Sequence, residues 1–579
     1  MVLLLLPFVL SGQGMGGGSK AVPRASPKAS KKIPAPTIRF TDIAKTANVI
    51  GVNTYGGRDR KDYILEMTGS GVAIFDYDND GRRDIFLVNG TRLDAGGSAS
   101  AHHLYRNGGD GTFEDVSRQA GFGRPGWGQA VCAGDYDNDG DTDLFVTYYG
   151  HNVLYRNNGA RFEDATAAAG LPVSGTRWNS GCAFLDYDRD GLLDIFAANY
   201  LAFNLEQARA LGGSRFCSWK GLSVFCGPRG FPGGTNLLYR NQGDGRFSDV
   251  TDQAGIAVPG THYGLGAVSS DFDDDGWPDI YVACDSTPSL LYHNNRDGTF
   301  TESAVPAGVA YGENGQEMGG MGVAAGDYDN DGLFDIVKTN FIDETSTLYR
   351  NRSELFFEDV SYESGLGVQT HFVSWGVVFF DLDHDGWKDI FIANGHIYPE
   401  VEGSKIGEQF AQRRILYWNL RNGAFRDVAR GLGPELSKPQ VSRGLAAGDL
   451  EGDGDLEFVV NNMNGVPSVL KNTGPKGNAI LIEAEGSRSN RSAIGARIAV
   501  TAGGLRQLDE IRSGGSFFSQ NDLRLHFGLG AASIIDRIEI RWPDGGLEVL
   551  EKVAANQSIW IREGEGIIKR VPFQRRGSS

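Results

Sequence analysis

Seven times along this 579-residue chain an acidic pattern returns, Asp-x-Asp-x-Asp-Gly-x-x-Asp, six times almost letter for letter. The close copies start at Asp76, Asp135, Asp186, Asp271, Asp327 and Asp381; the seventh starts at Asp449 and replaces two aspartates by Glu451 and Glu457. Successive starts lie 59, 51, 85, 56, 54 and 68 residues apart. That period belongs to solenoids and propellers, whose units cannot bury an apolar face alone and must stack. The flanks, such as 71–75 and 85–88, are short, β-branched and aromatic. Each copy therefore reads as strand, acidic loop, strand.

The spacing suits a hard cation. Calcium takes six to eight oxygens, and carboxylates at positions 1, 3 and 5 converge only if the chain turns sharply, which Gly at position 6 allows. Position 7 offers its backbone carbonyl, and an acid at position 9 closes the loop; an EF-hand places its closing Glu at position 12 instead. The expected ligands of loop 1 are Asp76, Asp78, Asp80, Arg82 and Asp84, and of loop 2 Asp135, Asp137, Asp139, Asp141 and Asp143. Loop 3 offers Asp186, Asp188, Asp190, Leu192 and Asp194, and loop 4 Asp271, Asp273, Asp275, Trp277 and Asp279. Loop 5 offers Asp327, Asp329, Asp331, Leu333 and Asp335, and loop 6 Asp381, Asp383, Asp385, Trp387 and Asp389. Loop 7 offers Asp449, Glu451, Asp453, Asp455 and Glu457. The plain alternative, an acidic turn that needs no metal, weakens with every copy.

Charge agrees with this reading. The seven loops hold 31 of the 73 acidic residues, and the formal charge is −18. Seven calcium ions would bring it near −4, so the acidity is mostly cage rather than a steering field, and nucleic-acid binding is disfavoured.

Two further signatures recur. Leu-Tyr-Arg-Asn or a variant follows the second strand, from Leu104, Leu154, Leu238, Leu291, Leu348 and Leu416, and an outer Phe-x-Asp-Val type strand follows at Phe113, Phe162, Phe247, Phe300, Phe357 and Phe425. Four strands per repeat make a propeller blade. The seventh repeat lacks its outer strand, and the missing piece lies at the other end of the chain as Phe40-Thr-Asp42-Ile43. An N-terminal strand completing the last blade closes the ring and removes exposed edges. The expectation is an all-β chain with a seven-bladed β-propeller, followed by a small C-terminal β-sandwich-like domain. Over about residues 38–473 the pattern resembles the FG-GAP/VCBS calcium-binding repeats of integrin-like propellers.

Residues 1–11 carry an apolar run too short to span a bilayer, which suits a signal-peptide core although no Lys or Arg precedes it. No Cys follows that run, so a bacterial lipid anchor is not expected. Residues 12–37 read as a disordered Gly/Ser/Pro/Lys linker. Export fits weak calcium cages, which fill at millimolar outside concentrations. An insertion at about 201–235 holds Cys217 and Cys226, expected to form a local disulfide; Cys132, Cys182 and Cys284 sit in apolar strands as small buried side chains. His102-His103 falls in a Gly/Ser/Ala-rich loop and reads as solvated.

From about 478 to 564 the acidic pattern stops and alternating strands continue, with 565–579 as a tail. The phrases Ser492-Ala-Ile-Gly495-Ala-Arg497, Ser516-Phe-Phe-Ser-Gln520, His526-Phe-Gly-Leu-Gly530 and Trp542-Pro-Asp-Gly545 resemble the ASPIC/UnbV domain. A calcium propeller followed by that domain resembles the cartilage acidic protein 1 family and its bacterial relatives. The family implies an exported calcium-binding protein. Animal members carry a cysteine-rich EGF-like module that is not found here, so roles tied to it are not carried over.

A second site is expected on the face away from the acidic loops. The segments entering the innermost strands and leaving the second strands bring Glu66, Trp127, Tyr149, Trp178, Tyr200, His262, Glu317, Trp375, His396 and Arg443 towards the mouth of the channel. Aromatic residues with scattered polar groups suit a sugar or small molecule, or simply pack as a plug. No nucleophile elbow, phosphate loop or zinc motif is present. The leading expectation is an exported adhesion- or lectin-like binding module with an extracellular protein or glycan partner. The rival is a carbohydrate-active enzyme, a polysaccharide lyase or hydrolase, using Glu66, Glu317, His262 and His396 at the mouth.

Overall fold

The structure is a computed structural model that describes residues 36–93, 101–210 and 217–574. The apolar segment 1–11 and nearly all of the linker 12–37 lie outside the described residues.

The strands assort into seven four-stranded antiparallel blades, six of them built in sequence order from the channel outwards, with blades 2 and 3 joined where Arg177 and Trp178 pair with Gly150 and Tyr149. Blade 1 uses Val72–Phe75, Asp84–Leu87, His103–Asn107 and Phe113–Asp115. The innermost strands of blades 2 to 7 are Trp127–Gly134, Arg177–Leu185, Gly264–Ser270, Val323–Gly326, Ser374–Phe380 and Ser442–Gly448. Each touches the next, and Ser442–Gly448 touches Val72–Phe75, so the ring closes. The closing strand, Arg39–Asp42, pairs with Ser468–Thr473 and sets Phe40 opposite Asn472. Elsewhere the same register sets Phe113 opposite Asn107 and Phe162 opposite Asn157.

Close approach of the inner strands explains a glycine five residues before most of the acidic loops. A Cβ on Gly322 would lie 2.0 Å from the Trp375 carbonyl oxygen, and one on Gly444 2.2 Å from that of Ser70. No side chain fits there without moving backbone.

The C-terminal domain holds two four-stranded sheets. One contains Leu525–Gly530, Asn478–Glu485, Gln557–Arg562 and Gly566–Pro572; the other contains Leu505–Glu510, Arg497–Ala502, Ile534–Arg541 and Leu547–Ala554. The domain therefore runs past residue 564. Gly566–Pro572 falls within the segment taken as tail, yet it pairs along Gln557–Arg562. It shows no burial alternation, because it is an exposed edge strand, and alternation is the signal that marks a strand in sequence.

The domain sits on the acidic-loop face and sends residues 513–520 down the channel. Val323 N–H donates to the Ser516 carbonyl (2.9 Å) and Val131 N–H to that of Phe518 (3.1 Å), while Gln520 N–H donates to the Val72 carbonyl (2.8 Å). The Ser519 hydroxyl accepts from Val72 and Leu445 N–H at 3.2 Å each, and the Ser516 hydroxyl from Val377 at 3.1 Å. One segment thus satisfies inner-strand groups of blades 1, 2, 5, 6 and 7. The Phe517 ring lies 3.9 Å from Phe518, stacked, and 4.7 Å from Trp375, edge-on. Ser516 and Phe518 hold φ near +50° and +60°. Such conformations cost about 1–3 kcal/mol each and persist only where the surroundings over-determine them. The aromatic plug joins the domain core (Ile480, Ile498, Ile540, Ile559) and the channel aromatics into one apolar cluster.

Candidate metal centres and the closed channel

The seven acidic loops share one backbone design. Gly at position 6 has φ between 85° and 98° in every copy, from Gly81 to Gly454. In loop 1 the Asp76 carboxylate accepts N–H bonds from Asp80 (3.2 Å) and Gly81 (2.8 Å), and Asp84 accepts from Tyr77 (3.0 Å) and Asn107 (2.8 Å). The pattern repeats around the ring, for example at Asp186 and Asp194. Positions 1, 3 and 9 bring carboxylate oxygens within 4.8 Å of one another in loops 1, 2, 3 and 5.

The position-3 acids decide what these loops suit. The Oδ1 atoms of Asp78, Asp137, Asp188, Asp329 and Asp383 are buried without a hydrogen-bond partner, as is Glu457 Oε1 in loop 7. A buried anionic oxygen without a donor is costly, and a bound cation is the natural remedy. The outer oxygens are spoken for. Arg106 pairs with Asp78 Oδ2 (2.8 Å), Arg156 with Asp137 Oδ2 (2.8 Å), Arg240 with Asp188 Oδ2 (2.7 Å) and Arg350 with Asp329 Oδ2 (2.6 Å). The Arg of Leu-Tyr-Arg-Asn thus holds the acid from outside and leaves its inner oxygen facing the cage. Burial raises Asp84 to about 8 and Asp135, Asp186 and Asp327 to about 7. A divalent cation reverses that balance and holds the carboxylates ionised.

The Asn of the same tetrapeptide has a role its sequence context did not reveal. Its Nδ2 donates to the position-2 carbonyl of the preceding blade's loop: Asn107 to Leu450, Asn157 to Tyr77, Asn241 to Tyr136, Asn294 to Tyr187, Asn351 to Phe272 and Asn419 to Tyr328, at 2.7–2.9 Å. In blade 7 Asn472 donates to Leu456 of its own blade. The recurrence of Asn was the available signal, but its partner lies a whole blade away. Asn157→Ala leaves the Tyr77 carbonyl buried without its donor and is expected to cost about 1–3 kcal/mol, measured by urea denaturation in calcium. A loss below about 0.5 kcal/mol, the size of an ordinary surface substitution, would show the staple to be dispensable.

At the other mouth the ten sequence-selected residues are enclosed to different degrees among the described residues. Glu66, Trp127, Trp178, Tyr200, Trp375, His396 and Arg443 are buried, while Tyr149, His262 and Glu317 are half-buried. The described part of the insertion packs against several of them. Phe203 packs against Tyr149 and Trp178, Trp219 lies 5.0 Å from His396, and Arg229 pairs with Glu317 at 3.1 Å. The Cys217–Cys226 disulfide staples this part of the insertion. Arg443 is spent on carbonyls of Met67, Gly395, Ser442 and His396 and lies over the Trp375 ring. Tyr200 donates to Asp285 (2.6 Å). Burial drives His396 down to about 3, so its ring stays neutral. Cys132, Cys182 and Cys284 are free and buried.

His102 differs from expectation. Its Nδ1 accepts from Asn89 N–H at 3.0 Å, its ring packs on Phe86 and Tyr148, and burial pushes it to about 3. The small residues before it suggested a solvated loop, but His102 itself turns into the blade 1–2 interface.

Family models match both parts of the chain. The FG-GAP-like repeat matches residues 76–146, 135–197, 224–282 and 271–337, and ASPIC and UnbV matches 486–568. The propeller thus carries FG-GAP-like repeats, and the C-terminal domain matches ASPIC and UnbV. The chain is similar to cartilage acidic protein 1 of Homo sapiens, 25% identical over 84% of this chain and 70% of that protein. The Mus musculus protein of the same name is 25% identical over 53% of this chain and 46% of its own length. Among solved structures, an Agrocybe aegerita lectin that recognises non-reducing terminal N-acetylglucosamine is 15% identical, with coverage of 73% and 88% and a TM-score of 0.36. YCF48 bound to a D1 peptide is 8% identical, with coverage of 72% and 99% and a TM-score of 0.37. In the ASPIC/UnbV domain, the His526-to-Gly530 phrase packs on loop 6, where a Cβ on Gly528 would lie 1.9 Å from Asp381 Oδ2. No helix among the described residues is long and apolar enough to cross a membrane.

Proposed function

We propose that this protein is an exported binding module whose propeller is held in shape by calcium. The observation that carries the calcium reading is the set of buried, donor-less carboxylate oxygens, from Asp78 to Glu457, with those of Asp78, Asp137, Asp188 and Asp329 lying in loops whose acids converge. When bound, calcium would supply the positive charge that lets those acids stay ionised at neutral pH. Positions 1, 3, 5 and 9 would hold it, with the position-7 carbonyl. Export is supported by the disulfide in the insertion and by cages suited to millimolar calcium.

The described part of the insertion packs against the mouth and the C-terminal domain fills the other end of the channel. A partner of this protein therefore meets its outer surfaces. The C-terminal domain exposes Leu547 and Val549 on one edge strand and Ile568 and Val571 on another, and apolar patches rimmed by polar residues mark interaction sites. A glycan array read in calcium and again in EGTA, with a polysaccharide panel alongside, tests this reading. Calcium-dependent retention without turnover is the expected result. New reducing ends or unsaturated uronate absorbance would overturn it in favour of an enzyme.

A further inference from the structure

Loop 4 is gripped by the C-terminal domain more closely than the other loops. Arg497 and Arg541 stand opposite each other on adjoining strands of the C-terminal domain and grip the loop as a fork. Arg497 Nη1 donates to Asp271 Oδ2 at 3.0 Å and pairs with Asp274 Oδ1 at 2.8 Å. Arg541 pairs with the same Asp271 oxygen and, at 2.9 Å, with Asp274 Oδ1. Glu510, the other strand neighbour of Arg497, accepts from Asp271 N–H at 3.3 Å. Both Asp271 and Arg497 are 6% exposed, so the pairing is sheltered from solvent.

The cage behind this grip is altered too. Asp273 Oδ1 accepts from Asp275 N–H (3.3 Å), whereas its counterparts in loops 1, 2, 3, 5 and 6 have no donor. The third-strand Arg is replaced by His293, whose Nδ1 lies 3.1 Å from Asp279 Oδ1, on the closing acid itself. The converging acids are those at positions 1, 3 and 5, without position 9. Elsewhere the approach of basic residues to position 1 is looser: Arg83 reaches Asp76 at 3.5 Å while also serving Asp522 and Glu483, and Arg491 reaches Asp135 at 4.0 Å.

From this geometry we propose that loop 4 is the docking socket of the C-terminal domain, its charge balanced by Arg497 and Arg541 in place of calcium. The inference rests on the calcium reading of the other loops. Two guanidinium groups on the position-1 carboxylate repel a divalent cation at the point where it would enter the cage. Each also bridges Asp271 and Asp274, which ties the domain to the propeller through charge-assisted contacts. The same nine-residue pattern thus has two uses: a metal cage in some blades and an arginine receptor in blade 4.

Counting calcium by native mass spectrometry and titration calorimetry on the full chain tests this. Asp188→Asn, in loop 3, is expected to lower the count by one, and Asp273→Asn, in loop 4, to leave it unchanged. Arg497→Gln combined with Arg541→Gln is expected to raise it by one. A drop of one with Asp273→Asn, equal to that with Asp188→Asn, overturns the proposal while leaving the calcium reading intact. No calcium bound by the unmodified chain overturns the calcium reading and the proposal with it. If Asp273→Asn does not fold, Asp275→Asn replaces it with the same expected result.

Discussion

Moving the protein from about 1 mM calcium into excess EGTA is expected to lower its melting temperature by about 5–15 °C. Six loops carry a buried acid oxygen without a donor. If each binds with a dissociation constant of about 0.1–1 mM, about 1 mM calcium stabilises by roughly 0.4–1.4 kcal/mol per loop. Six loops then contribute about 2–9 kcal/mol, comparable with the net stability of a whole domain. Scanning fluorimetry in the two buffers checks this, and superimposable melting curves would sink the structural role of calcium.

The pH dependence in EGTA follows from the same acids. Burial, the largest cause at each, raises metal-free Asp84 to about 8 and Asp135, Asp186 and Asp327 to about 7, against about 3.9 in an unfolded chain. Between these values the folded state holds protons that the unfolded chain has lost. Stability from this source is complete below about pH 4 and is lost as pH rises through about 7–8. In EGTA the melting temperature should therefore fall between about pH 6 and pH 8.5, and in saturating calcium it should fall much less. A rise with pH in EGTA would contradict the assignment.

Phe517→Ala is expected to destabilise the protein by about 3–5 kcal/mol, the usual cost of emptying a buried Phe site. Phe517 is buried between Phe518 and Trp375, at the meeting point of the propeller channel and the C-terminal core. Its loss opens a cavity that the rigid inner strands cannot collapse into, because their backbone groups are already fixed by Ser516, Phe518 and Gln520. The double variant with Phe518→Ala should fall short of the sum, since the two rings stack on each other. Denaturant titration followed by tryptophan fluorescence reads both. A change of less than about 1 kcal/mol in Phe517→Ala would show that the channel stands without its plug.

Much of this molecule was legible because its signals are local and repeated. The acidic loops needed only ligand spacing and a glycine at the turn, and the structure places that glycine at positive φ in all seven copies. The displaced strand at Phe40 was readable because six other blades display the same Phe opposite the same Asn. The Cys217–Cys226 pairing followed from two cysteines in one short insertion. His102 misled for the opposite reason. Its neighbours suggested solvent, whereas its partners, Asn89 and Tyr148, come from two different blades.

The sequence by itself determined the all-β class, the number of acidic loops and the strand that closes the ring. These depend on patterns within about ten residues, copied often enough to rise above chance. Only the tertiary structure decided that the second domain sits on the acidic loops, that residues 513–520 fill the channel, that the insertion packs against the other mouth and that loop 4 is held by Arg497 and Arg541. Each of those features occurs once and joins residues far apart in the chain. Neither periodicity nor spacing records such a contact; it exists only when burial and charge pairing are satisfied together in the folded molecule.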